Sequence, residues 1–196
     1  MIISFDELAQ KNSEYVDIKG KIGRDVESGL LIPVVKGLYE TDKNTSGHLL
    51  SICIYGPSYL SFDYALARYS LIPEAIYKTY TSATFNKRKK KRYDNAFGAF
   101  IYRDVPAKAY PYGIIVKEEN GYSYQIATPE KALCDKLYTI APVKSKKELR
   151  TLLFEDLRVD ESEFDKLNKA DIQMLAPLYR STNLNLLSKL IKGEKE

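Results

Sequence analysis

Nucleophilic catalysis by serine or cysteine needs a base within hydrogen-bond reach, and this chain contains one imidazole, His48. Its two cysteines, Cys53 and Cys134, stand far apart, and neither has a neighbour at CxxC or HxxxH spacing, so no metal site is expected. The phosphate-cradling patterns GxxxxGK[ST] and GxGxxG ahead of a helix are missing, as is a GxSxG elbow. The carboxylate pairs Glu118-Glu119 and Asp160-Glu161 lie in hydrophilic, loop-like contexts and read as solvated. The expectation is therefore a protein without catalytic residues, metal or cofactor. His48 reads as an ordinary helix-start or partly exposed residue. The cysteines read as buried thiols of a reducing cytoplasm.

What the chain does offer is positive charge at particular places. Residues 1–44 carry a net charge of −2, residues 45–128 of +5 and residues 129–196 of +1, within a total of +4. Most of the excess sits in one hexamer, Lys87-Arg88-Lys89-Lys90-Lys91-Arg92. Such a run suits a loop that contacts phosphate, with Phe85 and Tyr93 flanking it for stacking. It equally suits a mobile turn between strands that its like charges keep extended, or a contact with an acidic partner.

The elements that would position these groups can be read from pattern. Ser4-Phe5-Asp6-Glu7 fits a capping box, with Ile3 and Leu8 placed for a hydrophobic staple, so a helix from about Phe5 to Lys11 is expected. Asp17 suits the N-cap of a second helix in which Ile18, Ile22 and Val26 form one apolar stripe. At 100° per residue, Lys21, Arg24 and Ser28 turn away from that stripe. Gly29 stops the helix, Leu30–Val35 reads as a strand, Lys36-Gly37 as a turn and Leu38–Glu40 as the returning strand. Helix, helix, hairpin is the outline of a small winged-helix head. It would set Lys19, Lys21, Arg24 and Ser28 in or beside a major groove and Lys36 at a backbone phosphate. The alternative is that these are surface charges on a small α/β appendage. Asp25 lies beside Lys21, so either it shapes base preference or the helix face is a different one.

Thr41–Ser46 is polar and reads as a linker, which puts the head at 1–44 and a larger second domain at 45–196. In that domain Leu49–Tyr55 is apolar, and Ser61 suits the cap of a helix running to Tyr69. Strand-like segments then follow at Ile76–Phe85, Ala99–Arg103, Ile114–Lys117 and Ser123–Thr128, making 76–128 β-rich. Thr128-Pro129-Glu130 opens a helix, and from Ser145 to Lys192 about three more short amphipathic helices are expected, giving a helical stretch over 129–193. The fold class is α+β, a small winged-helix-like head followed by a mixed α/β domain with a helical C-terminal region. Hydrophobic content of 44% supports a core, no run approaches a bilayer span, and the acidic start Asp6-Glu7 is unlike an export signal, so a cytoplasmic protein is expected.

Three blocks together resemble the AbiEi family of antitoxins from type IV toxin–antitoxin (abortive infection) systems. They are Glu27–Tyr39, then Gly56–Leu66 with Leu71-Ile72-Pro73, then Ile126–Asp135. The resemblance covers nearly the whole chain. It implies a winged-helix head that binds operator DNA upstream of its own operon and represses it, with Lys21, Arg24 and Lys36 in the recognition-helix and wing places. It also implies a second domain that counters a cognate nucleotidyltransferase-like toxin without a stable complex being required. One departure stands out. The segment before Gly29 is short for a three-helix module, so either the first helix is missing or the second has shrunk into Asn12–Val16. DNA binding would then draw on a homodimer or on the basic hexamer.

Two other readings stand beside this one. The chain could be a protein-interaction module with a degenerate head that does not bind DNA. It could also be a nucleic-acid-processing enzyme holding substrate with Lys87–Arg92, although no general base has a suitable context.

Overall fold

The structure is a computed structural model describing residues 1–74 and 77–193. It is a mixed α+β protein. Strand β1 (Ile2–Ser4) passes straight into helix α1 (Phe5–Lys11). The expected capping box forms at that junction: Ser4 Oγ accepts the Glu7 amide at 3.2 Å, and Glu7 Oε2 accepts the Ser4 amide at 2.8 Å. Asp17 Oδ1 accepts the Gly20 amide at 2.9 Å and opens helix α2 (Ile18–Glu27). Gly29, at φ +76°, turns the chain out of the helix into β2 (Ile32–Val35), and Gly37, at φ +78°, turns it into β3 (Leu38–Glu40). Both positions need the left-handed backbone that glycine adopts without strain.

The three strands form an antiparallel sheet in the order β1-β3-β2. Ile3 and Pro33 both pair with Tyr39, and this face packs on the helices around Ile3, Leu8, Ile22 and Leu31. Both helices expected ahead of the hairpin are present, and Asn12–Val16 is not helical. The strand β1 was not expected from the sequence. The opposite face of the sheet, with Ile2, Ile32, Val34, Val35 and Leu38, joins the main hydrophobic core of the rest of the chain.

That core lies under a six-stranded sheet. Helix α3 (Gly47–Ile54) is followed by β4 (Tyr59–Leu60), α4 (Phe62–Arg68), β5 (Thr79–Thr84), β6 (Lys91–Asn95), β7 (Gly98–Asp104), β8 (Ile114–Glu119) and β9 (Tyr122–Ala127). The strand order is β6-β7-β5-β4-β9-β8, with β5 parallel to β7, β4 parallel to β9 and the other pairs antiparallel. The apolar run at Leu49–Tyr55 is thus mostly helix. The strand expected from Ile76 starts at Thr79, and Ile76 itself lies outside the described residues.

Thr128 caps helix α5 (Pro129–Tyr138) with Pro129 in its first turn, as the sequence indicates. Four further helices follow rather than three: α6 (Lys146–Thr151), which continues as a π-turn over Leu152–Asp156, α7 (Glu161–Lys166), α8 (Lys169–Tyr179) and α9 (Thr182–Lys192). Among the described residues no helix is long and apolar enough to cross a membrane.

Candidate nucleic-acid interface

The apolar stripe Ile18, Ile22 and Val26 turns α2 inward, with Ile22 only 3% exposed. The outward face therefore carries Lys19, Gly23, Arg24 and Glu27, all exposed. A groove of about 600 Å³ separates α2 from the hairpin; Lys19, Gly23 and Lys36 line it together with the apolar side chains of Ile22, Val26 and Tyr39. Helix and wing thus bring Lys19 and Lys36 to one concavity, and Arg24 stands on the helix immediately beyond Gly23. The body sits on the other face of the head sheet, so the charged side of α2 is left open.

Two residues that the helical wheel turns away from the stripe are engaged locally. Lys21 is half-buried, its ammonium 2.5 Å from Asp25 Oδ1 one turn along and 5.9 Å from the centre of the Tyr15 ring. The pair offsets the lysine's charge, and the Asp25 neighbour noted in the sequence is its partner. Ser28 is exposed at the helix end, where its hydroxyl donates to the Asp25 carbonyl at 3.1 Å.

The basic hexamer divides in the structure. Asn86 and Arg88 adopt positive φ in the turn after β5, and Lys91 and Arg92 open the edge strand β6, which the sequence did not reveal. Lys87 donates to the Gly56 carbonyl at 3.1 Å and sits 5.1 Å from the centre of the Tyr55 ring. Arg92 pairs with Asp94 at 2.7 Å. The Arg88 amide donates to Asp104 at 2.6 Å, pinning the turn, while the side chains of Arg88, Lys89 and Lys90 are exposed. Phe85 and Tyr93, read as stacking platforms, are used internally: Phe85 packs on Tyr110, and Tyr93 on Tyr55 and Tyr102. At its far end β6 meets the head, where the Asn95 side-chain amide donates to the Val34 carbonyl at 2.8 Å.

Three polar clusters elsewhere were not foreseen. Inside the body, Lys131 donates to the Ala109 carbonyl at 2.8 Å and to the Tyr179 hydroxyl at 2.6 Å. Asp135 accepts from the Tyr59 hydroxyl at 2.9 Å and from Ser61 Oγ at 2.7 Å. Ser61 precedes α4 as expected, but its hydroxyl serves this network instead of capping the helix. Burial, and the Asp135 carboxylate beside them, push the Tyr59 and Tyr179 hydroxyls well above the usual tyrosine range.

His48, the second residue of α3, stands at a helix start as one of the two expectations had it, and at 6% exposed it is buried rather than partly exposed. Its ring bridges Ser46 Oγ at 2.8 Å and Glu119 Oε2 at 3.2 Å. Burial drives its pKa down, outweighing the hydrogen bond to Glu119. At the join between head and body, the buried Glu40 carboxylate accepts from the Tyr122 hydroxyl, from the amides of Thr41 and Asp42, and from the Met1 ammonium.

Cys134 is buried, whereas Cys53, expected to be buried, is exposed; both are free thiols. Among the described residues no group of three or more His, Cys, Asp or Glu side chains is arranged to hold a metal ion. No protein-family model and no curated protein matches the chain.

Proposed function

We propose that this protein is a DNA-binding transcriptional autorepressor and antitoxin that counters a nucleotidyltransferase-like toxin of a type IV toxin–antitoxin system. The observation that carries the DNA half is the open groove in which Lys19 on α2 faces Lys36 on the wing, with Arg24 exposed on the same helix outside the groove lining and the body on the far side of the head. A helix of ten residues supported from behind and flanked by a wing is the geometry that presents side chains to a major groove. Three cations are few for tight binding, because phosphate neutralisation supplies much of the affinity for a duplex. A homodimer spanning two half-sites would double them.

The antitoxin half rests on the resemblance of the three blocks to AbiEi proteins. Within the third block, Lys131 and Asp135 are wholly enclosed, so a toxin-directed surface has to come from other residues of the body. The cytoplasm is the compartment this function requires.

The test is a gel shift with duplex from directly upstream of the gene, repeated across a salt series, together with co-expression beside the adjacent gene. Binding whose log-affinity falls linearly with log salt, and rescue of growth, are the expected results. Glu27 in the groove and the head's net charge of −2 favour a second reading, an interaction module without DNA affinity. Rescue without any shift at low salt would select it.

A further inference from the structure

Gly23 sits in the middle of α2, where glycine disfavours the helix because it leaves the most backbone freedom to be lost on folding. The chain has ten glycines, and nine have a local reason in the structure. Gly29, Gly37, Gly98, Gly113, Gly121 and Gly193 hold positive φ. At Gly20 a Cβ would meet the Asp17 carboxylate that caps the helix, at Gly47 the Tyr80 ring, and at Gly56 the Ile52 carbonyl. At Gly23 φ is ordinary, and a Cβ would meet nothing within 4 Å.

The fold itself thus gives no reason for a bare backbone at this point, and the point lies on the open wall of the groove, between Lys19 and Glu27 and across from Pro33 and Lys36. Glycine with space around it on a binding face lets another molecule approach the main chain.

We infer that Gly23 is the position of closest approach between α2 and duplex DNA, a specificity-determining residue that lets the helix seat deeply enough for Arg24 to reach base edges. The inference rests on the DNA-binding reading above. With any side chain at residue 23, the helix stands off the groove floor. Arg24 then loses its reach while Lys19 and Lys36, at the edges, still meet phosphate. Gly23 is therefore expected to govern discrimination between sequences more than general attraction to DNA.

The experiment compares the full-length protein with Gly23→Ala and Gly23→Gln, both better helix formers than glycine. The probe is a fluorescein-labelled duplex from directly upstream of the gene, with a shuffled duplex of equal length beside it. The melting temperature should rise by about 2–4 °C in the alanine variant, which separates the effect from unfolding. Affinity for the upstream duplex should fall by about tenfold in Gly23→Ala, a loss on the scale of one good base contact, and further in Gly23→Gln. Affinity for the shuffled duplex should change little. If the unsubstituted protein binds neither duplex at low salt, the DNA-binding reading fails and this inference with it. If the unsubstituted protein prefers the upstream duplex and both variants keep that preference, the inference alone is overturned.

Discussion

Lys131 and Asp135 meet at 3.0 Å across one turn of α5, and neither side chain is exposed to solvent at all. Two charges taken this far from water are tolerable only because every remaining polar direction is filled, by Ala109, Tyr59, Ser61 and Tyr179. The network ties α5 to the central strand β4, to the start of α4 and to α8, within the hydrophobic core that sheet and helices share.

Removing one partner leaves the other charge buried and alone. Lys131→Met should destabilise the protein by about 3–5 kcal/mol, and Asp135→Leu by a similar amount. The double variant should cost clearly less than the sum of the two. Urea unfolding of the four proteins measures this; strict additivity would mean that the pair is not coupled.

Two lysines on the same helix should behave differently. Lys19→Ala should weaken binding to duplex and reduce the salt slope by about 0.9, the signature of one lost phosphate contact, and Arg24→Ala should weaken binding as well. Lys21→Ala should leave the slope unchanged and instead lower helix stability by about 0.2–0.5 kcal/mol, through loss of its pair with Asp25. Fluorescence anisotropy across a salt series separates these outcomes, and a reduced slope in Lys21→Ala would contradict the placement.

A chain with one histidine gives one imidazole titration curve. Burial of His48 disfavours its charged form, so its midpoint should lie below the ordinary value of about 6.5. The unfolded chain then binds the proton more readily than the folded one. Stability is complete above the unfolded pKa and is lost as pH falls through the folded one. NMR of the imidazole carbon-bound protons reads the midpoint directly. Glu119→Gln should lower it further, and Arg68→Ala should raise it, because Glu119 favours the charged ring and Arg68 opposes it.

Glu40 gives a second acid-sensitive contact. Burial works to raise its pKa, but hydrogen bonds from the terminal ammonium, Tyr122 and two amides outweigh that and leave it lowered. Its contribution is therefore complete above the unfolded carboxylate value and disappears as pH falls through the lower folded value. Glu40→Gln should flatten the acid side of the curve of melting temperature against pH below about 4.5. Tyr122→Phe should cost about 1.5–3 kcal/mol near neutrality, as expected for one hydrogen bond to a carboxylate.

Local signals carried much of this architecture. The capping residues Ser4, Asp17 and Thr128 mark helix starts because each supplies an oxygen to an amide that the helix leaves unpaired, and all three do so in the structure. Strand β1 escaped notice because three residues show no period, and only the long-range register with β3 defines them. Strand β6 was hidden because Lys91, Arg92, Asp94 and Asn95 read as loop, while an edge strand tolerates charge on its open side.

Lys131 and Asp135 look like a solvated helix face when judged by spacing alone. They turn inward because α8, some forty residues later, folds over them and supplies the Tyr179 hydroxyl. Arg24 is exposed on α2, as its place on the wheel suggests, whereas Lys21 is half-buried because Asp25, one turn on, and the Tyr15 ring engage it.

The head's three-stranded sheet is sandwiched between its own helices and the main core. Cut off at residue 44, the fragment would present Ile2, Ile32, Val35 and Leu38 as a bare greasy underside, and it would clump rather than survive as a free-standing reader.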